Sequence, residues 1–194
     1  MEEADARMPQ AINQRSKVGF QIGLGPHTES ATVRLVMAEL GRKAPERYPR
    51  IHFGVPYGDR SRQKCDLALG QGPNWDWLVE VKMLRMLGDN AKQNDNLVTH
   101  ILSPYPAHRS ALTDCDKLAA SGLQGRKAIP IYGYEADEWP VEPLLRASEE
   151  LASHMLGQRE TESFGNLVHP VHLRGSVHAW EIISTGPQNL VDSP

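Results

Sequence analysis

The chain has 194 residues, of which 40% are hydrophobic and 23% charged, with a net charge of −3 and a mean hydropathy of −0.47. That length and composition predict one soluble globular domain and leave too few residues for two full cores. No apolar run approaches the roughly 18 to 20 residues of a membrane span, so no membrane partner is expected. The acidic start Met1-Glu2-Glu3-Ala4-Asp5 is unlike a secretory signal, which opens basic and turns apolar. Cys65 and Cys115 lie far apart and form neither a disulfide framework nor a CxxC knuckle. A reducing, cytoplasmic setting is the expectation.

The average charge hides an asymmetry. Between positions 42 and 64 stand Arg42, Lys43, Arg47, Arg50, Arg60, Arg62 and Lys64, opposed only by Glu46 and Asp59. Residues 135–162 reverse the balance. A polyanion needs a local basic footprint, so the slightly acidic total leaves nucleic acid open as a partner. Charge alone fits an ordinary mixed surface equally well.

Residues 1–26 form an N-terminal extension with little periodicity. Thr28 is a natural N-cap, and Val33, Val36, Met37 and Leu40 follow at helical spacing, with Gly41 as the stop. Residues 49–56 alternate Ile51, Phe53 and Val55, a strand; Cys65, Leu67 and Leu69 predict a second. Residues 77–84 predict a third, giving a meander. A polar stretch over 85–107 contains one short helix at 96–102. A helix over 110–120 and a strand over 127–134 complete the core, with Pro130 implying an edge position or a bulge. Residues 136–194 are read as a C-terminal extension, available as a dimer or partner surface. It holds a helix over 143–156 and a hairpin of strands over 167–173 and 176–183.

The third strand reads Trp77-Leu78-Val79-Glu80-Val81-Lys82-Met83. Alternation puts Glu80 and Lys82 on one face and Val79, Val81 and Met83 on the other. A carboxylate and an ammonium in an apolar strand are costly to bury without a purpose. Asp66 interrupts the second strand in the same way, and hairpin pairing would bring it to Glu80. Two carboxylates beside a lysine make a hard-oxygen site for Mg²⁺, with a cation to orient water. Glu29 lies one turn before Val33 on the buried helix face. It serves either as a first-turn dipole partner or as a third acid of the site.

Asp66 followed by Glu80-Val81-Lys82 resembles the PD-(D/E)xK nuclease superfamily, with its restriction-endonuclease-like fold. The element order over residues 27–135 is similar to that family's α/β core of helix, three-strand meander, helix and strand. Cys65 stands where the family name has proline. The resemblance implies Asp66, Glu80 and Glu29 as catalytic carboxylates and metal ligands, with the Val81 carbonyl as a further ligand. Lys82 would position the attacking water. The implied cofactor is Mg²⁺, with Mn²⁺ as a substitute. The implied partner is DNA, met by Arg60, Arg62, Lys64, Arg85 and Lys92. The implied activity is an endonuclease of restriction or phage defence, with repair or junction resolution as another setting. Cutting both strands at once favours a homodimer or a partner subunit.

A different class also fits: a restriction-like module that binds DNA or assembles without cutting. His172 and His178 could meet across the tail hairpin as the start of a zinc site, although no cysteine completes it. His169 and His172 are expected on opposite faces of a strand, and ordinary packing accounts for all three histidines. No nucleophile elbow, dinucleotide loop or phosphate-binding loop is present.

Overall fold

The computed structural model describes residues 1–8, 19, 21–58, 62–95 and 97–183. A short helix α1 (Glu2–Ala6) precedes the long helix α2 (Glu29–Lys43). Strands β1 (Ile51–Pro56), β2 (Lys64–Gln71), β3 (Asn74–Val79) and β4 (Lys82–Arg85) follow. Helices α3 (Leu97–Leu102) and α4 (Ala111–Ala120) lead to β5 (Gln124–Tyr134). Helix α5 (Glu142–Leu151) and strands β6 (Leu156–Phe164) and β7 (Gly175–Ile182) close the chain. Among the described residues no helix is long and apolar enough to cross a membrane.

The seven strands form one mixed sheet in the order β1-β2-β3-β5-β7-β6, with β4 also paired to β5. β1, β2 and β3 make the antiparallel meander, and β5 then runs parallel to β3 through a helical crossover. Helices cover both faces. On one, Met37 of α2 packs on Leu67, Val79, Val81 and Tyr132. On the other, Ile101, Cys115, Leu118 and Leu145 from α3, α4 and α5 pack on Ala68, Leu78, Leu84 and Ile131. Such two-sided cover demands apolar residues on both strand faces, which is why a charge in the central strand stands out.

Helix α2 begins as the sequence predicts, with the Thr28 hydroxyl accepting from the Ala31 N–H at 3.4 Å. It runs through Gly41 to Lys43, and the break comes at Ala44, whose backbone leaves the helical region (φ −137°, ψ 65°) ahead of Pro45. The strand expected over 77–84 appears as β3 and β4, parted at Glu80 and Val81. Both halves keep one register on β5, with Val79 opposite Ala128 and Lys82 opposite Ile131.

Pro130 explains the interruption. The Glu80 N–H donates to the Ala128 carbonyl at 3.1 Å. In a parallel ladder the next bond would come from residue 130 back to the Glu80 carbonyl, and proline has no N–H to give. Pro130 is therefore in a central strand, paired in register on its far side to Ala179, and is at neither the edge nor the bulge that the sequence suggested.

The C-terminal segment departs further from expectation. Helix α5 stops at Leu151, and residues 156–164 form the edge strand β6 paired with β7. Residues 167–173 are not a strand; they form a bent segment around Pro170 that buries His169 and His172. Backbone N–H groups of Val171 and His172 donate to His169 Nδ1 at 3.0 and 2.9 Å, so His169 carries its proton on Nε2 and donates it to Asp89. The His172 ring stacks on His169 at 4.5 Å and lies 4.8 Å from Tyr134. Gly25 is required beneath them, since a Cβ there would fall 2.4 Å from His172 Cδ2.

Burial, then His169 and Arg85, lower the His172 pKa to about 4, against a partial counter-effect from Asp89. Its folded pKa lies below its unfolded value of 6.5, so its contribution is complete above the unfolded value. It is lost as pH falls through the folded value, at a cost of roughly 3 kcal/mol. Chemical denaturation across that acid range should show the loss in wild type and a shallower decline in His172→Gln.

Candidate active site

The interruption in the central strand opens the sheet where the site forms. The pairing of Leu67 with Val79 is the last between β2 and β3, and beyond it β2 continues with β1 alone. Because the Glu80 N–H faces β5, alternation turns the N–H groups of Val81 and Met83 away from β5, towards the departing β2. Side chains take the place of the missing strand. Asp66 Oδ2 accepts from the Val81 N–H at 2.9 Å, and Glu29 Oε2 accepts from the Met83 N–H at 2.6 Å. Glu29 thus reaches from α2 to β4 and does more than complement its own helix dipole. Gly54 of β1, opposite Asp66 between two register pairs, adopts φ 67°, a conformation glycine accommodates without strain.

Glu80 and Lys82 share a face, as alternation predicts, and both are buried. They point to the α4 side, whereas Val79 and Val81 bury their side chains in the α2 layer. Tyr57 donates its hydroxyl to Glu80 Oε1. Lys82 Nζ pairs with Asp114 Oδ2, and Lys117 Nζ takes the other oxygen of the same carboxylate. Glu29, Asp66, Glu80, Lys82 and Asp114 together line an open cavity of about 380 Å³.

Burial, followed by the nearby Asp114 charge, pushes the Glu80 carboxyl up to about 8. Burial also raises Asp66, against the opposing bond from the Val81 N–H. For Lys82 burial works towards the neutral amine, but Glu29, Asp114 and Asp66 outweigh it and hold the ammonium charged. Burial beside the Asp114 carboxylate thus leaves Glu80 holding a proton at neutral pH. A divalent cation would reverse that balance.

Among the described residues no three His, Cys, Asp or Glu side chains stand as a ready metal cluster. The donor set nevertheless suits magnesium, which takes one or two protein carboxylates and completes its shell with water and substrate phosphate. Asp66 and Glu80 are hard oxygen donors on adjoining strands at the cavity, and Asp66 keeps a second oxygen beyond the one bonded to Val81. Zinc finds no such set in the tail: His169 is bonded to Asp89, and His178 to Thr161 and Ser176.

Of the residues expected to meet DNA, Arg62 and Lys64 line the cavity and are exposed. Arg60 lies outside the described residues. Arg85 is turned away, donating to the Gly25 carbonyl at 2.7 Å. Lys92 is exposed in a turn closed by its carbonyl and the Gly88 N–H at 2.7 Å, and it does not line the cavity. Sequence reasoning missed Tyr57, Arg109, Asp114 and Lys117 as residues of the site. Asp114 is in fact 2% exposed. The signal was available: Asp114 shares a helix face with Ala111 and Leu118, so it breaks an apolar stripe as Glu80 breaks an apolar strand.

Comparison of the chain with protein-family models, with curated proteins and with solved structures finds no match.

Proposed function

We propose that the protein is a Mg²⁺-dependent DNA endonuclease of the PD-(D/E)xK type, built on a restriction-endonuclease-like core. The observation that carries this reading is the convergence of Glu29, Asp66, Glu80 and Lys82, from three separate parts of the chain, at one break in the central strand. The order of helix α2, the β1–β3 meander, helix α4 and a β5 parallel to β3 supports it. Asp66 and Glu80 would hold the metal, with the Val81 carbonyl and Glu29 beside them. When bound, magnesium supplies neutralisation of charge at the phosphate and a more acidic water. Lys82, fixed by Asp114, keeps a cation beside the carboxylates to orient that water. Arg62 and Lys64 on the β2 side attract the strand electrostatically. Cutting both strands of a duplex would call for two copies or a partner subunit.

Magnesium binding separates this reading from a folded module that only holds DNA. At a hundredfold excess over Kd, Mg²⁺ should stabilise the wild type by about 2.7 kcal/mol, a melting shift of several degrees. Glu80→Ala should abolish the shift. An unchanged melting temperature in wild type would remove the metal site from the account.

A further inference from the structure

Resting on that nuclease reading, we propose a phosphate-holding subsite on the α4 wall of the cavity, made by Arg109 and Lys117. It takes a backbone phosphate of the bound strand next to the one being cut. The sequence assigned contacts of this kind to Arg85 and Lys92, and neither lines the cavity. Arg109 and Lys117 both do, together with Arg62 and Lys64.

Two observations point to an anion there. The first is the arrangement of charge. Asp114, with its side chain 3% exposed, gives one oxygen to Lys82 and the other to Lys117. One carboxylate is thereby shared between two ammonium groups, and Lys117 keeps N–H donors beyond that single contact. Lys82 is enclosed, whereas Lys117 is 30% exposed and borders the opening. Arg109 adds a second cation to that border, and its side chain makes no ion pair or hydrogen bond within the described residues.

The second is the backbone of Arg109, which is left-handed at φ 49° and ψ 46°. A side chain with a Cβ resists this region, so such residues persist where their surroundings over-determine them, often at binding sites. The surroundings here are a polar clasp. Ser103 Oγ meets His108 Nδ1 at 2.6 Å and accepts from the Tyr105 N–H at 3.3 Å. Ser110 donates to the Ser103 carbonyl and caps α4 by accepting from the Thr113 N–H at 3.3 Å. The clasp fixes the chain on both sides of Arg109 and holds it at the cavity rim. A guanidinium and an ammonium sharing one border suit a phosphate, which accepts from both.

The test is binding of a fluorescently labelled DNA duplex, followed by anisotropy over a salt series in Mg²⁺ at times before cleavage. Arg109→Gln and Lys117→Gln should each weaken binding threefold to tenfold with unaltered melting temperature. The double variant should lower the slope of log affinity on log salt by about 0.9, the loss of one phosphate contact. Lys92→Gln, away from the cavity, should change neither. Wild-type slopes in the double variant, or no DNA binding by wild type, would overturn the subsite. Plasmid cleavage is scored separately on wild type. Cleavage with unaltered slopes sinks the subsite alone, and altered slopes without cleavage sink the hydrolytic reading and leave the subsite standing.

Discussion

Asp114→Ala should destabilise the protein by about 3–5 kcal/mol, the usual cost of stripping the partner from a buried charge. Lys82 sits on the apolar side of the sheet with its side chain 7% exposed, and Asp114 is its ion-pair partner. Lys117, 30% exposed, can turn to solvent when the carboxylate is lost, but Lys82 on a central strand cannot. The enclosed lysine therefore sets the magnitude. Removing both charges should be far milder: Lys82→Met with Asp114→Leu takes out both buried members of the pair and should recover most of the loss. Urea denaturation of the two variants and wild type checks this. A loss below about 1 kcal/mol for Asp114→Ala would mean that Lys82 reaches water by another route.

Much of this arrangement is legible in the chain because it rests on local rules. Alternation in 77–84 placed Glu80 and Lys82 on one face, and the structure keeps them there. Thr28 as a cap located the start of α2, and Glu29 as its first residue then fell within reach of β4. What stayed hidden depends on register. Pro130 reads as an edge or a bulge in isolation. Only the pairing with β5 reveals that its missing N–H faces Glu80 and splits the central strand. Edge strand β6 was illegible for another reason: Gln158, Glu160 and Glu162 leave it mostly exposed, without the apolar alternation that marks a buried strand. Residues 167–173 misled in the opposite sense, since Leu167, His169 and Val171 alternate but serve a buried loop organised around His169.

Asp114 shows the same limit within the site. Its helix periodicity was plain, but a single acid beside Asp116 and Lys117 looks like solvated helix surface until the sheet supplies a buried lysine opposite. The two largest consequences of the structure, the stability held by Asp114 and the chemistry assigned to Glu80, meet at Lys82.

The second large effect concerns Glu80. Its carboxyl lines the same cavity as Lys82 and Asp66 at the strand break, and burial raises it to about 8. Glu80→Gln keeps the shape and the acceptor for Tyr57 but removes the anionic ligand. The loss should fall on the chemical step, on the order of a thousandfold, because the charge being neutralised develops at the phosphate during reaction. Lys82→Ala should also cut poorly, with an additional stability change that Glu80→Gln lacks.

Cleavage of supercoiled plasmid by wild type and Glu80→Gln, each in Mg²⁺, Mn²⁺ and EDTA, decides whether the site is hydrolytic. Wild type should give nicked or linear product with either metal and none in EDTA, and a folded Glu80→Gln protein should cut about a thousandfold more slowly. Cutting by Glu80→Gln at the wild-type rate, or a wild type that neither cuts nor shows a metal-induced melting shift, would contradict the hydrolytic reading and leave Asp66, Glu80 and Lys82 as a structural ion cluster.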